Sequence, residues 1–143
     1  VIVGVVGAEQ AKFTSRTEAL CRELIHYELT RAKAHLVVSG ACHLGGVDAY
    51  ARDIAAEMRL PFVAYPPAKL RWEGGYKQRN VKIAEAADLT LCFTLRELPP
   101  EFMGLRHRFC YHCGTRDHVK SGGCWTVKMA RKLGKAGRIV VVD

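Results

Sequence analysis

The stretch His35-Leu-Val-Val-Ser39-Gly40-Ala-Cys42-His43-Leu-Gly45-Gly46-Val47-Asp48 decides the fold. Its opening residues are a continuous apolar run rich in β-branched side chains, the pattern of a strand covered on both faces. Gly40, Gly45 and Gly46 then carry the chain around a loop. Beyond them Val47, Tyr50, Ala51, Ile54, Ala55 and Met58 recur at helical spacing. Strand, glycine loop and helix make the front half of a βαβ unit.

The rest of the chain repeats that grammar. Val1–Val6 reads as a first strand, and Ser15 with Glu18 as a capping box opening a first helix. Pro61–Tyr65 is a third strand, stopped by Pro66 and Pro67. A helix follows from Tyr76 to Ala87, then a strand Leu89–Phe93. An irregular stretch, Leu98–Lys120, precedes a last helix Gly122–Leu133 and a final strand Arg138–Val142. Five strands separated by four helices predict an α/β fold, a mainly parallel five-stranded sheet with helices on both faces. Ligands of such sheets bind beyond the carboxyl ends of the strands, where strand order reverses. The loops after the first, second and fourth strands are therefore the place for a site, with Gly7 at the end of the first.

Length and composition agree with one domain spanning residues 1–143. With 49% hydrophobic and 25% charged residues, the chain is neither disordered nor fibrous. The opening apolar run, Val1–Ala8, is less than half of the roughly 20 residues a membrane helix needs. No membrane partner is expected, and the lack of a leader pattern points to a cytoplasmic protein. Lys and Arg number 22 against 14 Asp and Glu, a net +8 that favours anionic partners. The excess gathers around Lys69, Arg71, Lys77 and Arg79, and again from Arg106 to Arg138.

Three segments at the sheet edge carry chemistry. The first is the loop Ser39–Asp48, where Gly40, Gly45 and Gly46 let backbone amides approach a phosphate. No Gly-Lys-Ser/Thr follows, so it is not a Walker loop. The second is Tyr76-Lys-Gln-Arg79-Asn80; Arg79 suits bidentate contact with phosphate or carboxylate, and Asn80 a sugar or a brace. The third is Lys120-Ser121-Gly122-Gly123-Cys124-Trp125-Thr126, a glycine pair opening a helix between two candidate anion ligands, Lys120 and Thr126. Each alone also reads as an ordinary turn or surface segment. Cys42, beside a helix start, is a minor candidate nucleophile.

Together the three resemble one superfamily, the Rossmann-like SLOG group that includes the DNA-processing protein A domain and the Lonely Guy phosphoribohydrolases. The matching residues are Ser39 to Asp48, Arg79 to Asp88, and Ser121 to Ala130. The resemblance implies a three-layer Rossmann-like domain holding a nucleotide or a nucleotide-derived phosphorylated ligand. It also implies dimerisation as the expected assembly. Catalysis stays open, because Trp125 stands where the phosphoribohydrolases have a third glycine and Met129 where they have a catalytic Glu. Glu73 or Asp48 would have to substitute from another loop, and Arg79 keeps the position of the family's catalytic Arg. A second reading is a module for single-stranded nucleic acid, like DNA-processing protein A, with Trp72, Tyr76 and Trp125 as the candidate stacking surfaces. N-glycoside hydrolysis or transfer on a nucleotide is the third.

The irregular stretch has its own signature. Cys110, Cys113, His118 and Cys124 stand in the pattern C-x2-C-x4-H-x5-C, three thiolates and one imidazole. That donor set and number suit tetrahedral zinc, and the pattern resembles the zinc knuckle up to His118. The expected result is a structural Zn²⁺ site in a loop over 105–124, inserted before the last helix. His107 and His112 are alternative ligands, and a redox pair the alternative role for Cys110 and Cys113. Cys21, Cys42 and Cys92 read as small apolar residues rather than disulfide partners.

Overall fold

The computed structural model describes residues 1–107 and 109–143; Arg108, inside the expected metal loop, lies outside them. Five strands, β1 (Ile2–Gly7), β2 (Leu36–Gly40), β3 (Phe62–Tyr65), β4 (Leu89–Leu95) and β5 (Ala136–Val142), form one sheet in the order β3-β2-β1-β4-β5. All four pairings are parallel. The order turns back between β1 and β4, the place where ligands of such sheets bind.

Four helices cover the sheet: α1 (Ser15–Arg31), α2 (Val47–Glu57), α3 (Lys77–Ala86) and α4 (Gly122–Lys132). Alternation along the strands sorts the two faces. Val3, Val5, Val37, Leu91 and Phe93 pack against Cys21, Ile25 and Leu29 of α1 and Tyr50, Ala51 and Ile54 of α2. Val6, Val38 and Cys92 point the other way, onto Ile83 of α3 and Cys124 and Val127 of α4. The three-layer, all-parallel layout expected from the apolar runs is the one observed. Each fully buried Val, Ile, Leu or Phe contributes on the order of 1.5–3 kcal/mol.

Most boundaries shift by a residue or two from the sequence reading, with β4 running on to Leu95, and three of the shifts have a visible cause. The α1 cap is Thr14, not Ser15: its side chain accepts from Thr17 N at 3.1 Å, and Thr17 Oγ1 accepts from Thr14 N at 2.8 Å. Glu18 instead accepts from Gln10 and Arg22. A π-turn, Trp72–Tyr76, runs directly into α3. Finally, β5 begins at Ala136, because pairing with β4 carries through Gly137. The irregular segment between β4 and α4 is tied to the sheet at its far end, where Val119 N donates to Leu95 O at 2.7 Å and Thr94 Oγ1 to Val119 O at 2.6 Å.

Candidate ligand cavity and metal centre

The β2–α2 loop is closed by its own acid. Asp48, in the first turn of α2, accepts from Cys42 N at 3.1 Å and from Ser39 Oγ at 3.2 Å. Burial raises the Asp48 carboxyl above the usual carboxylate range, and the Arg79 guanidinium pulls it back. The loop reaches α2 through Gly46, at φ +81°, where a Cβ would stand 2.3 Å from Ala8 O. Only glycine allows that approach.

Arg79 is not a surface side chain. It lies buried on α3, with Nε donating to Asn80 Oδ1 at 2.8 Å and Nη1 to Tyr65 O at 3.4 Å, and Nη1 3.9 Å from Asp48 Oδ2. The Tyr76 ring lies 5.3 Å from its guanidinium carbon. Nη2 makes no protein hydrogen bond among the described residues, so its donors are those that could serve a ligand. Gly40 makes the arrangement possible, since a Cβ there would fall 2.1 Å from Arg79 Nη1 and 2.6 Å from Asp48 Oδ2. Gly40→Ala is expected to displace the guanidinium, cost about 1–3 kcal/mol as an overpacked site does, and remove ligand binding. Thermal melts with and without ligand check it.

The third segment supplies a helix end. Ser121 caps α4, its Oγ accepting from Gly123 N at 3.0 Å. Gly123 packs so closely that a Cβ would stand 2.7 Å from Cys92 Sγ and 3.0 Å from Gly7 N. Between these parts lies a cavity of about 250 Å³ lined by Gly7, Gly40, Cys42, Asp48, Trp72, Tyr76, Arg79, Asn80, Gly122 and Gly123, together with Val6 and Ile83. Trp72 is held edge-on against Trp125, ring centroids 5.0 Å apart.

Seven of the thirteen candidate ligand-binding residues thus meet at one cavity, Gly7, Gly40, Asp48, Arg79, Asn80, Gly122 and Gly123, and Cys42, Trp72 and Tyr76 line it with them. The others sit behind it or away from it. Ser39 is buried and donates to Val5 O and Asp48; Gly45 and Gly46 turn the loop; Thr126 Oγ1 donates to Gly122 O inside α4. Lys120 turns outward, its Nζ donating to Tyr111 Oη at 2.9 Å. Cys42 is no activated nucleophile, because burial, with Asp48 nearby, raises its thiol. Glu73 is exposed and pairs with Lys77 at 3.4 Å, so it brings no carboxylate to the cavity.

Beside the cavity, Cys110, Cys113, His118 and Cys124 come together with their ligand atoms all within 4.8 Å of one another. These are the four residues of the sequence pattern; His107 and His112 are not among them. The hairpin that presents them is local: Cys110 N donates to Thr115 O at 2.8 Å and Gly114 N to Cys110 O at 2.7 Å, with Gly114 at φ +71°. His118 Nδ1 bonds Asp117 Oδ1 at 2.7 Å, leaving Nε2 facing Cys124 Sγ at 3.7 Å. A carboxylate on the far ring nitrogen is how metal-binding imidazoles are oriented. Burial pushes the Cys113 thiol up to about 12, and the neighbouring Cys92 thiol raises Cys124 as well. Two thiols so raised ionise together only beside a cation, which this donor set could hold. No disulfide joins any of the six cysteines.

No family model matches the chain, and no curated protein matches it. Among solved structures, the chain is similar to the molybdenum cofactor carrier protein of Chlamydomonas reinhardtii. The match has a TM-score of 0.57 at 17% identity and covers 98% of this chain and 74% of that one. At that identity the likeness concerns the backbone layout: this chain has the Rossmann-like α/β fold that the carrier protein has.

Proposed function

We propose that the cavity binds a nucleotide or nucleotide-derived phosphorylated small molecule, in a SLOG-type domain whose last helix is pinned by a structural zinc. One observation carries the reading. Three segments distant in sequence, each suited to an anion, converge on a single cavity at the strand-order reversal. Arg79 Nη2 and the α4 N-terminus supply positive charge and donors there. Trp72 and Tyr76 give a wall against which a base or other flat ring can stack.

The chemistry favours holding over hydrolysing. Asp48 is the only acid lining the cavity among the described residues, and its oxygens serve Ser39, Cys42 and Arg79. With Met129 in place of the phosphoribohydrolase Glu and Asp48 so engaged, no uncommitted carboxylate lines the cavity among the described residues. The fold neighbour is named as a carrier of a cofactor, and a carrier needs binding without turnover. For the metal, a tetrahedral Zn²⁺ with Zn–S bonds of about 2.3 Å sets its sulfurs about 3.8 Å apart; the ligand atoms here, all within 4.8 Å of one another, need draw in by no more than about 1 Å to meet that spacing. Four protein ligands leave no open position, so the ion braces structure.

The test is a thermal-shift panel on zinc-loaded protein with nucleoside mono- and diphosphates, cyclic and dinucleotides, and sugar phosphates. A ligand at 100 times its Kd adds about 2.7 kcal/mol, a rise in Tm of roughly 5–10 °C. The shift is expected for one ligand class and to vanish in Arg79→Ala. If no small phosphorylated ligand moves Tm, the reading fails.

A further inference from the structure

We infer that Cys92 is an oxidation site: when a hydroperoxide drives the metal out of the centre, Cys92 joins Cys124 in a disulfide that takes over the brace on α4. The ligand set holds three thiols, Cys110, Cys113 and Cys124, an odd number. Cys92 on β4 supplies the fourth. It is fully buried on the sheet face under α4, in one cluster with the other three. Its sulfur stands 2.7 Å from where a Cβ on Gly123 would be, the residue directly before Cys124. Of everything around the Cys124 thiol, Cys92 acts on it most strongly, ahead of burial. A disulfide forms only where two Cβ atoms already lie close, and the glycine lets the first turn of α4 come that near to β4. The remaining cysteines are elsewhere, Cys21 on α1 against the opposite face and Cys42 in the β2–α2 loop.

Burial sets the order of events. Cys92, Cys110 and Cys124 are at most 1% exposed, whereas Cys113 is only half-buried. Peroxide therefore meets Cys113 first. The Cys113 thiolate displaces hydroxide from the peroxide and becomes a sulfenic acid; the Cys110 thiolate attacks that sulfur and expels a second hydroxide. One disulfide has formed, one peroxide is reduced, and two protons from solvent turn the hydroxides into water. The metal, left with two protein ligands, departs. A second peroxide then oxidises the Cys124 thiolate to its sulfenic acid, releasing hydroxide. The Cys92 thiol gives up its proton, attacks the Cys124 sulfur and releases water. Without Cys92 the Cys124 sulfenic acid has no partner and goes on to sulfinic acid, which a thiol reductant does not reverse. The new bond ties β4 to α4 beside Gly123, so the helix end keeps its place at the cavity after the metal has gone.

Hydrogen peroxide on the zinc-loaded chain tests it, followed by released zinc, thiol count and disulfide mapping by peptide mass spectrometry. The six thiols fall to two, Cys21 and Cys42, as zinc appears in solution. Mapping joins Cys92 to Cys124 and Cys110 to Cys113, and a thiol reductant with fresh zinc restores the starting state. The oxidised chain melts about 5 °C or more above the reduced chain freed of zinc by a chelator, the gain a disulfide over a long loop supplies. Cys92→Ala still releases zinc but lacks that gain, and its Cys124 becomes a sulfinic acid that no longer reloads. Cys92→Val, which refills the core, behaves alike. Cys92 found free in the oxidised chain, Cys124 joined to Cys110 or Cys113, or an unchanged thiol count under excess peroxide would each overturn the assignment. The inference rests on the metal reading, and metal content measured first separates the two. A chain that takes up no zinc fails that reading, and peroxide on it still shows whether Cys92 pairs with Cys124; a zinc-loaded chain whose Cys92 stays free fails this one alone. The phosphorylated-ligand shift plays no part in either result.

Discussion

Stripping the metal from Cys110, Cys113, His118 and Cys124 is expected to lower Tm by about 10 °C or more and to abolish the ligand-induced shift. In peptides with no other core, a structural zinc contributes about 10–16 kcal/mol. Here the sheet has its own core, so only the hairpin and the start of α4 depend on the ion. Several kcal/mol is the expected share, and each corresponds to roughly 2–4 °C in a chain of this size. The ligand effect follows from position. Cys124 lies directly after Gly123, which lines the cavity and whose backbone stands against Gly7 N, also on the cavity wall, and Cys92 Sγ in the core behind it. Releasing Cys124 frees the helix end that would hold the anion. Melts with and without a strong chelator, at measured metal stoichiometry, read both effects. Cys124→Ser should reproduce them, while Cys113→Ser should spare more of the ligand shift because it sits out on the hairpin. Chelation that removes the ion and leaves both Tm and ligand shift unchanged would show that it braces nothing.

What the sequence makes legible here is whatever is encoded locally. Buried parallel strands announce themselves as unbroken apolar runs, and the glycine loops fall where the backbone must turn or approach closely. The metal pattern is local too, with three of its ligands within nine residues and the fourth just inside α4. What stays hidden depends on contacts across the fold. Thr14 and Ser15 are adjacent hydroxyl residues, and only the path of the chain decides which one caps α1. Arg79 reads as a surface residue until α3 is laid against the β2–α2 loop, which puts Asp48 beside it from 31 positions earlier. Lys120 sits next to the α4 cap in sequence, yet its long side chain turns to Tyr111 on the hairpin.

Arg79→Met is expected to destabilise the protein by about 3 kcal/mol at pH 7, roughly a 10 °C fall in Tm, and to eliminate the ligand shift. The side chains of Arg79 and Asp48 are only 9% and 11% exposed. Removing the cation leaves a carboxylate in a site that already disfavours its charge, the costliest way to break a buried pair. The pH dependence identifies the mechanism. Burial raises the Asp48 carboxyl and Arg79 opposes that rise, so the substitution lifts it further. A folded-state pKa above the unfolded value of about 3.9 means that the native protein holds the proton more tightly. Stability in the variant is then greatest at acid pH, where Asp48 is neutral in both states, and is lost as pH rises through the folded pKa. The gap between variant and parent should be small near pH 4 and full at pH 7. Urea unfolding at the two pH values measures it. Asp48→Asn placed on top of Arg79→Met should recover much of the loss, since Asn keeps an acceptor for Ser39 and Cys42 without the charge. A gap that is equal at both pH values, or wider in acid, would mean that the guanidinium stabilises the fold through packing and its bonds to Asn80 and Tyr65 instead of through Asp48.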